Sequence, residues 1–248
     1  MPGVGAALFL DLDGTMYRGD DALRAYAQAM AGRAGGRRGE ALAAKAEAFV
    51  ADPRPFAPFR DAWAAVSAFG GEAGLDWPMR DDAFLEVREA IMAGRVAIER
   101  TPGLTEFLAA LDPRVRVMVL TNSDGPSAAR LLDFLGLGAL RPHLKAEAHK
   151  PSGFAAAVRD HLVGIGPTRA VSVGDNQAND IVPAHAMGMA AVHVRWPFAE
   201  GGRADLTVER LEEAFGFLED RLRAFLAADA GKDALPGAAW AEEGGARA

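Results

Sequence analysis

Four short, largely apolar runs constrain this chain more than any other feature: AALFL at 6–10, VRVMVL at 115–120, AVSV at 170–173 and AAVHV at 190–194. Runs of this length are too short for complete helices and fit strands buried on both faces. Helical patterns stand between them: Leu104, Phe107, Leu108 and Leu111, then Ala128, Leu131, Leu132 and Leu135, then Phe154, Ala157, Val158 and Leu162. Each set recurs at the three- and four-residue spacing of one helix face. Strands alternating with helices in this way predict an α/β fold on a doubly wound parallel sheet.

Residues 18–100 break the rhythm. They contain no clear strand and read as four helices near 21–31, 40–51, 58–69 and 81–93, separated by GRAGGRRG, DPRPFAP and GGEAGLDWP. Gly and Pro clusters of that kind end helices. The expected organisation is a core domain from 1–17 and 101–230, a helical domain inserted at 18–100, and a mobile tail at 231–248. A closing helix is expected over VERLEEAFGFLEDRLRAFLAA, with an apolar stripe at Leu211, Phe215, Leu218 and Leu222. Phe56, Phe59, Trp63 and Trp77 are expected in the core of the insert.

Composition narrows the function classes. Half of the 248 residues are hydrophobic, enough for a sizeable core. A formal charge of -7 argues against a nucleic-acid surface. The chain has no cysteine, which excludes disulfides, thiolate nucleophiles and cysteine-ligated metal centres. No basic stretch precedes the first apolar run, and no run approaches the length of a membrane span, so a cytoplasmic protein without membrane partners is the expectation.

Open parallel sheets bind ligands at the carboxyl ends of their strands. Asp11 and Asp13 follow the first run, Thr121 and Asn122 the second, and Gly174, Asp175, Asn179 and Asp180 the third, with Lys150 before Pro151 between the last two groups. Alternate residues of a strand share a face, so Asp11 and Asp13 would point the same way. Two like charges roughly 4 Å apart cost about 4 kcal/mol at an effective dielectric near 20. Something must offset that. Carboxylates without His or Cys partners make a hard donor set suited to Mg2+, and Lys150 supplies a second positive charge. His149 and His185 lie near these segments but form no ligand pair, and are expected to be structural or exposed.

The order DLDGT, a strand ending in Thr-Asn, Lys-Pro, and GDNQAND resembles the four motifs of the haloacid dehalogenase-like hydrolase superfamily. The resemblance spans about residues 6–210 and implies a Rossmann-like core. Asp11 and Thr121 stand 110 positions apart, so the insert resembles the helical cap of members that carry it after the first motif. The resemblance implies a Mg2+-dependent phosphatase acting on a small phosphorylated metabolite. In it Asp11 is the nucleophile and Asp13 the general acid and base. Thr121 and Lys150 hold phosphoryl oxygens, aided by Asn122, and Gly14 and Thr15 turn the chain and offer N–H groups. Asp11, the Asp13 main-chain carbonyl and Asp175 hold Mg2+, while Asn179 and Asp180 support the ion's waters or Lys150.

Other chemistries share this scaffold. A phosphomutase would return the phosphoryl group to a second hydroxyl. A haloacid dehalogenase lacks the second aspartate and needs no metal, so Asp13 and Asp175 count against it, and four competent motifs count against a silent binding relative. The substrate stays open: Tyr17 and TNSDGPSAARLLDFLGL faintly resemble enzymes of nucleoside monophosphates, other segments those of phosphoglycolate or sugar phosphates. Arg18, Arg54 and Arg60 are the insert's first candidates for substrate contacts. Oligomeric state is not legible.

Overall fold

The first apolar run becomes the middle of a parallel sheet, and everything else is arranged around it. The computed structural model describes residues 4–56, 58–196, 199 and 201–233. In chain order the elements are β1 (Ala6–Leu10), β2 (Tyr17–Arg18), α1 (Asp20–Ala34), α2 (Gly36–Ala51), α3 (Ala62–Glu72), α4 (Trp77–Met92), β3 (Glu99–Arg100), α5 (Leu104–Ala110) and β4 (Val115–Leu120). Then follow α6 (Gly125–Phe134), β5 (Leu144–Lys145), α7 (Phe154–Arg159), β6 (Ala170–Gly174), α8 (Val182–Ala186), β7 (Ala190–Val194), β8 (Leu206–Val208) and α9 (Phe215–Asp233).

Six strands form the sheet in the order β5-β4-β1-β6-β7-β8, every neighbouring pair parallel. The registers Leu10↔Val119 and Leu10↔Val173 bring the carboxyl ends of β1, β4 and β6 to one edge. The chain leaves β1 toward β4 and later crosses back to β6, so β1 lies at the switch point where open sheets form a crevice.

The unbroken apolar run of β1 has a simple cause. Ala6, Leu8 and Leu10 join one core cluster with Leu104, Leu131 and Leu218, while Ala7 and Phe9 join a second with Phe154, Val158 and Ala184. Alternate residues thus feed helices on both faces, leaving no polar side to alternate with. Phe107 of α5 and Phe215 of α9 stack on one flank, ring centroids 4.4 Å apart.

The stretch between β1 and β4 is helical, as the sequence predicts, with two corrections at its ends and boundaries. β2 and β3 pair antiparallel through Tyr17↔Arg100 and Arg18↔Glu99, closing the neck of the four-helix insert. Strands of two or three residues carry too little periodicity to read, which also hid β5 and β8. The helix starts follow their caps: Asp61 Oδ1 accepts from the Ala64 N–H at 2.6 Å and Asp76 Oδ1 from the Met79 N–H at 3.0 Å. These caps put α3 and α4 at 62 and 77 rather than 58 and 81. GRAGGRRG breaks the helix only at Gly35, whose φ of 64° suits glycine, and α1 and α2 take up most of the rest.

Phe56 and Phe59 pack against Phe49 and Phe69 inside the insert, as expected, edge-on except for the tilted Phe56–Phe69 pair. The closing helix starts at Phe215 rather than at Val208, which lies in β8 and pairs with Val194, and a tight turn at Leu211–Ala214 separates strand from helix. It runs to Asp233, three residues into the expected tail, and 234–248 lie outside the described residues. Among the described residues no helix is long and apolar enough to cross a membrane.

Leu8 is wholly buried at the centre of β1. Leu8→Ala is expected to cost about 2–5 kcal/mol of stability through lost burial and a residual cavity. A urea titration followed by circular dichroism checks this.

Candidate active site

Lys150 organises the site. Its ammonium, buried beneath the end of β4, donates to Asp11 Oδ1 at 2.8 Å, Asp180 Oδ1 at 2.6 Å and the Leu120 carbonyl at 2.8 Å. Asn122 fixes the lysine's own backbone: Nδ2 donates to the Lys150 carbonyl at 2.9 Å, and Oδ1 accepts from its N–H at 2.7 Å. The Asn122 amide is therefore taken up by Lys150. Burial works against the ammonium, yet Asp11 and Asp180 outweigh it and push its pKa up.

The second carboxylate has a counter-charge that the sequence did not announce. Arg88 of α4, 1% exposed, donates through Nη2 to Asp13 Oδ1 and, at 3.1 Å, to Ser123 Oγ, and through Nη1 to Ser127 Oγ at 3.3 Å. Tyr17 O–H donates to Asp13 Oδ1 at 2.6 Å and Ser123 O–H to Oδ2 at 2.9 Å. Burial alone would raise the Asp13 pKa, but the Arg88 charge and these hydrogen bonds hold it below the usual carboxylate range. The repulsion expected between Asp11 and Asp13 is thus offset by Lys150 on one and Arg88 on the other.

Asp175 follows β6 and completes the crowd. Ligand oxygens of Asp11, Asp175 and Asp180 lie within 4.8 Å of one another, all buried. Asp175 Oδ2 is buried without a hydrogen-bond partner, and the His193 Nε2–H holds the Asp175 carbonyl at 3.0 Å. A Cβ on Gly14, where φ is 84°, would sit 2.1 Å from Asp175 Oδ2, so only glycine lets the DLDGT loop pass so close. Burial, then Asp61, Asp11 and Asp180, push the Asp175 pKa well up, and burial lifts Asp180 to about 7 against the pull of Lys150. One ammonium cannot neutralise three carboxylates. The hard oxygen set and the orphaned Asp175 oxygen fit a divalent cation.

The remaining expected residues divide. Thr15 O–H donates to Asp11 Oδ2 at 3.0 Å. Thr121 sits 3.5 Å from Asp13 Oδ2 and faces the cavity. Asp180 Oδ2 accepts from the Asn176 N–H at 3.2 Å, and Asn176 Oδ1 accepts from the Asn179 N–H at 3.0 Å, pinning the turn that carries Asn179 and Asp180. The cavity above these groups is about 730 Å³ and is shared between the strand ends and the insert.

Three arginines and one tryptophan fall elsewhere than expected. Arg18 braces the Gly14 and Val194 carbonyls beneath Trp196, Arg54 pairs with Asp52 on the surface, and neither these nor Arg60 lines the cavity. Trp63 packs against the insert's core as expected and also lines the cavity, whereas Trp77 lines the cavity and is largely exposed. His149 reaches the cavity, and His185 lies on the surface with Asp205 at 2.9 Å.

The residues that local motifs did not mark are Arg88, Asp61, Ser123 and Asn176. Ser123 and Asn176 each directly follow a motif residue and could have been read by proximity. Asp61 caps α3 and also accepts from Asn176 Nδ2 at 2.7 Å. Arg88 left one trace: it falls four residues after Phe84, on the side of α4 that otherwise buries Ala83, Val87 and Ile91.

A family model for haloacid dehalogenase-like hydrolases matches residues 6–188, and the chain belongs to that hydrolase family. Solved structures share its fold. A haloacid dehalogenase-like hydrolase from Streptococcus pneumoniae aligns over 86% of this chain and 98% of its own, with a TM-score of 0.57 at 16% identity. A HAD phosphatase from Thermococcus onnurineus aligns over 86% and 97%, with 0.52 at 20%. CbbY from Rhodobacter sphaeroides, solved in complex with phosphate, aligns over 84% and 96%, with 0.52 at 16%. At such identities the likeness is one of fold. Comparison with curated proteins gives no match.

Two outcomes follow from the charges. Asp11, Asp175 and Asp180 all have raised carboxyl pKa values, so their contribution to stability is full below the ordinary value of 3.8 and is lost as pH rises through the raised ones. Metal-free protein should therefore melt lower at about pH 8 than at about pH 5.5, and Mg2+ should raise the midpoint more at the higher pH. Scanning fluorimetry reads both. Equal midpoints throughout would contradict the charge assignment.

Arg88→Met should cost about 3–5 kcal/mol by leaving Asp13 buried and unpaired. In a double-mutant cycle Asp13→Asn should recover much of that loss, and strictly additive denaturant midpoints would argue against the pair.

Proposed function

We propose that this hydrolase is a Mg2+-dependent phosphatase of a small phosphomonoester, working through an aspartyl-phosphate. The single observation that carries the reading is the Lys150 bridge between Asp11 and Asp180 beside the unpartnered Asp175 oxygen. A buried site with this excess of negative charge is suited to a cation and to the phosphate that accompanies it. Asp11, the Asp13 main-chain carbonyl and Asp175 would hold the ion, which supplies charge to neutralise phosphoryl oxygens.

The chain's own residues divide the rest of the work. Asp11 attacks phosphorus and forms the acyl phosphate as the leaving oxygen departs. Lys150, anchored by Asn122, keeps one Asp11 oxygen in place and presents positive charge to the phosphoryl group. Thr121 faces the same space with a hydroxyl able to donate to it. Asp13 gives a proton to the leaving oxygen, then takes one from the water that opens the acyl phosphate.

Arg88 sets a condition on that exchange. While its guanidinium holds Asp13, the carboxylate is ionised, a base and not an acid. Asp13 must loosen from Arg88 to carry a proton. Because Arg88 lies on α4, this ties the protonation of Asp13 to the seating of the helices at 18–100, which we read as a cap over a core made of 1–17 and 101–230. Its closure excludes water from the site.

Phosphate release from an aryl phosphate by the purified protein tests the reading. Release is expected with Mg2+, should stop with a chelator, and should fall at least a thousandfold in Asp11→Asn, an order-of-magnitude expectation for removal of a nucleophile. Wild-type turnover by that variant would overturn the assignment.

A further inference from the structure

The cavity has two unlike ends. Its floor is the charged cluster, and its far wall, supplied by α1, α3 and α4, is aromatic. Trp63 and Phe84 meet edge-on with centroids 5.1 Å apart, and Tyr26 closes the group at 5.7 Å from Trp63 and 6.0 Å from Phe84. Trp77, the first residue of α4, lines the same space yet is 64% exposed. A large indole left in water at a cavity mouth marks a surface suited to contact with a ligand. Arg80 stands 5.4 Å from the Trp77 ring centre and donates to the Ser67 carbonyl at 3.2 Å and hydroxyl at 3.1 Å, tying this ledge to α3.

Charge restricts what can lie on the ledge. Asp81, Asp124 and Glu147 also line the cavity, against one arginine among its described lining residues, Arg80, whose guanidinium is already engaged by the Asp76 and Ser67 carbonyls and the Ser67 hydroxyl. Asp81's carboxyl pKa is raised by burial and by Asp82 and Asp124. A leaving group with its own carboxylate or second phosphate would meet these acids. An uncharged ring would not. The volume, about 730 Å³, lies within the range of pockets for ring-bearing ligands and far exceeds what a two-carbon acid fills.

We propose that the substrate's leaving group carries a planar, uncharged aromatic ring that lies against Trp77 and Trp63 while its phosphate occupies the carboxylate site. This rests on the phosphatase reading. A nucleoside monophosphate and a simple aryl phosphate share that chemistry.

The test has a turnover arm and a binding arm. kcat/KM is measured for adenosine 5′-monophosphate, phenyl phosphate, phosphoglycolate and glucose 6-phosphate, in wild type and in Trp77→Ala, whose exposed position makes the substitution mild. The ring-bearing esters should lead by about tenfold or more, and Trp77→Ala should shrink that lead about tenfold, mainly through KM, as loss of a stacking platform does. Whichever ring-bearing ester leads names the source of the ring.

In the binding arm, adenosine 5′-monophosphate should quench the tryptophan fluorescence of Asp11→Asn where phosphoglycolate does not, and the added Trp77→Ala change should weaken it about tenfold. A lead for the ring-free esters, or a lead untouched by Trp77→Ala, overturns the ring proposal and spares the phosphatase. Quenching without release from any ester overturns the phosphatase and supports the ring site. Neither quenching nor release overturns both.

Discussion

The concentration of buried carboxylates at the end of β1, β4 and β6 is the constraint on which the rest of the structure depends. Asp11, Asp175 and Asp180 share one small volume, and Asp13 lies beside them. Such a group is tolerable only if each acid meets a positive charge or a firm donor. Lys150 serves two of them and Arg88 serves Asp13, while Asp175 keeps one oxygen without a partner, the oxygen that a divalent cation would satisfy. The turn of Asn176–Asp180 and the clamp of Asn122 on Lys150 then follow as the local structure needed to hold those charges still. The parallel sheet makes the arrangement possible by delivering three strand ends to one edge.

Much of this was legible in the sequence because it is local. The runs at 6–10, 115–120 and 190–194 are strands over those very residues, and a strand end followed by Asp or Thr can be read without knowing its partners. Lys150 was legible for a similar reason, since Pro151 disfavours helix at the lysine and marks the junction. The aspartate caps are present in the sequence too, and they set the starts of α3 and α4 four residues from where the apolar spacing alone puts them.

What was not legible is tertiary. Arg88 meets Asp13 across 75 positions, and an arginine on an amphipathic helix ordinarily faces water. Asp61 reaches Asn176 across 115. Trp77 posed the opposite problem: an aromatic residue in a helical insert suggests a core, and only packing distinguishes a core from a wall. The insert's core sets Phe49 and Phe69 beside Met30, Leu42 and Val66, with Trp63 packed against it. Arg18 misled because its charge sits next to the first motif, while its guanidinium serves main-chain carbonyls behind the loop.

The contacts of Arg88 and Asp61 with the strand ends bear on how such a protein can diversify. A helical insert joined to its core through a two-residue β pair looks like a part that could be exchanged between relatives. Here the insert carries the counter-ion of a core aspartate and an acid bonded to a core asparagine. A foreign insert lacking an arginine at that place would leave Asp13 uncompensated in the host core. The two parts are therefore bound to vary together, and a change of substrate wall through α3 and α4 must preserve the two polar contacts that those helices make below it.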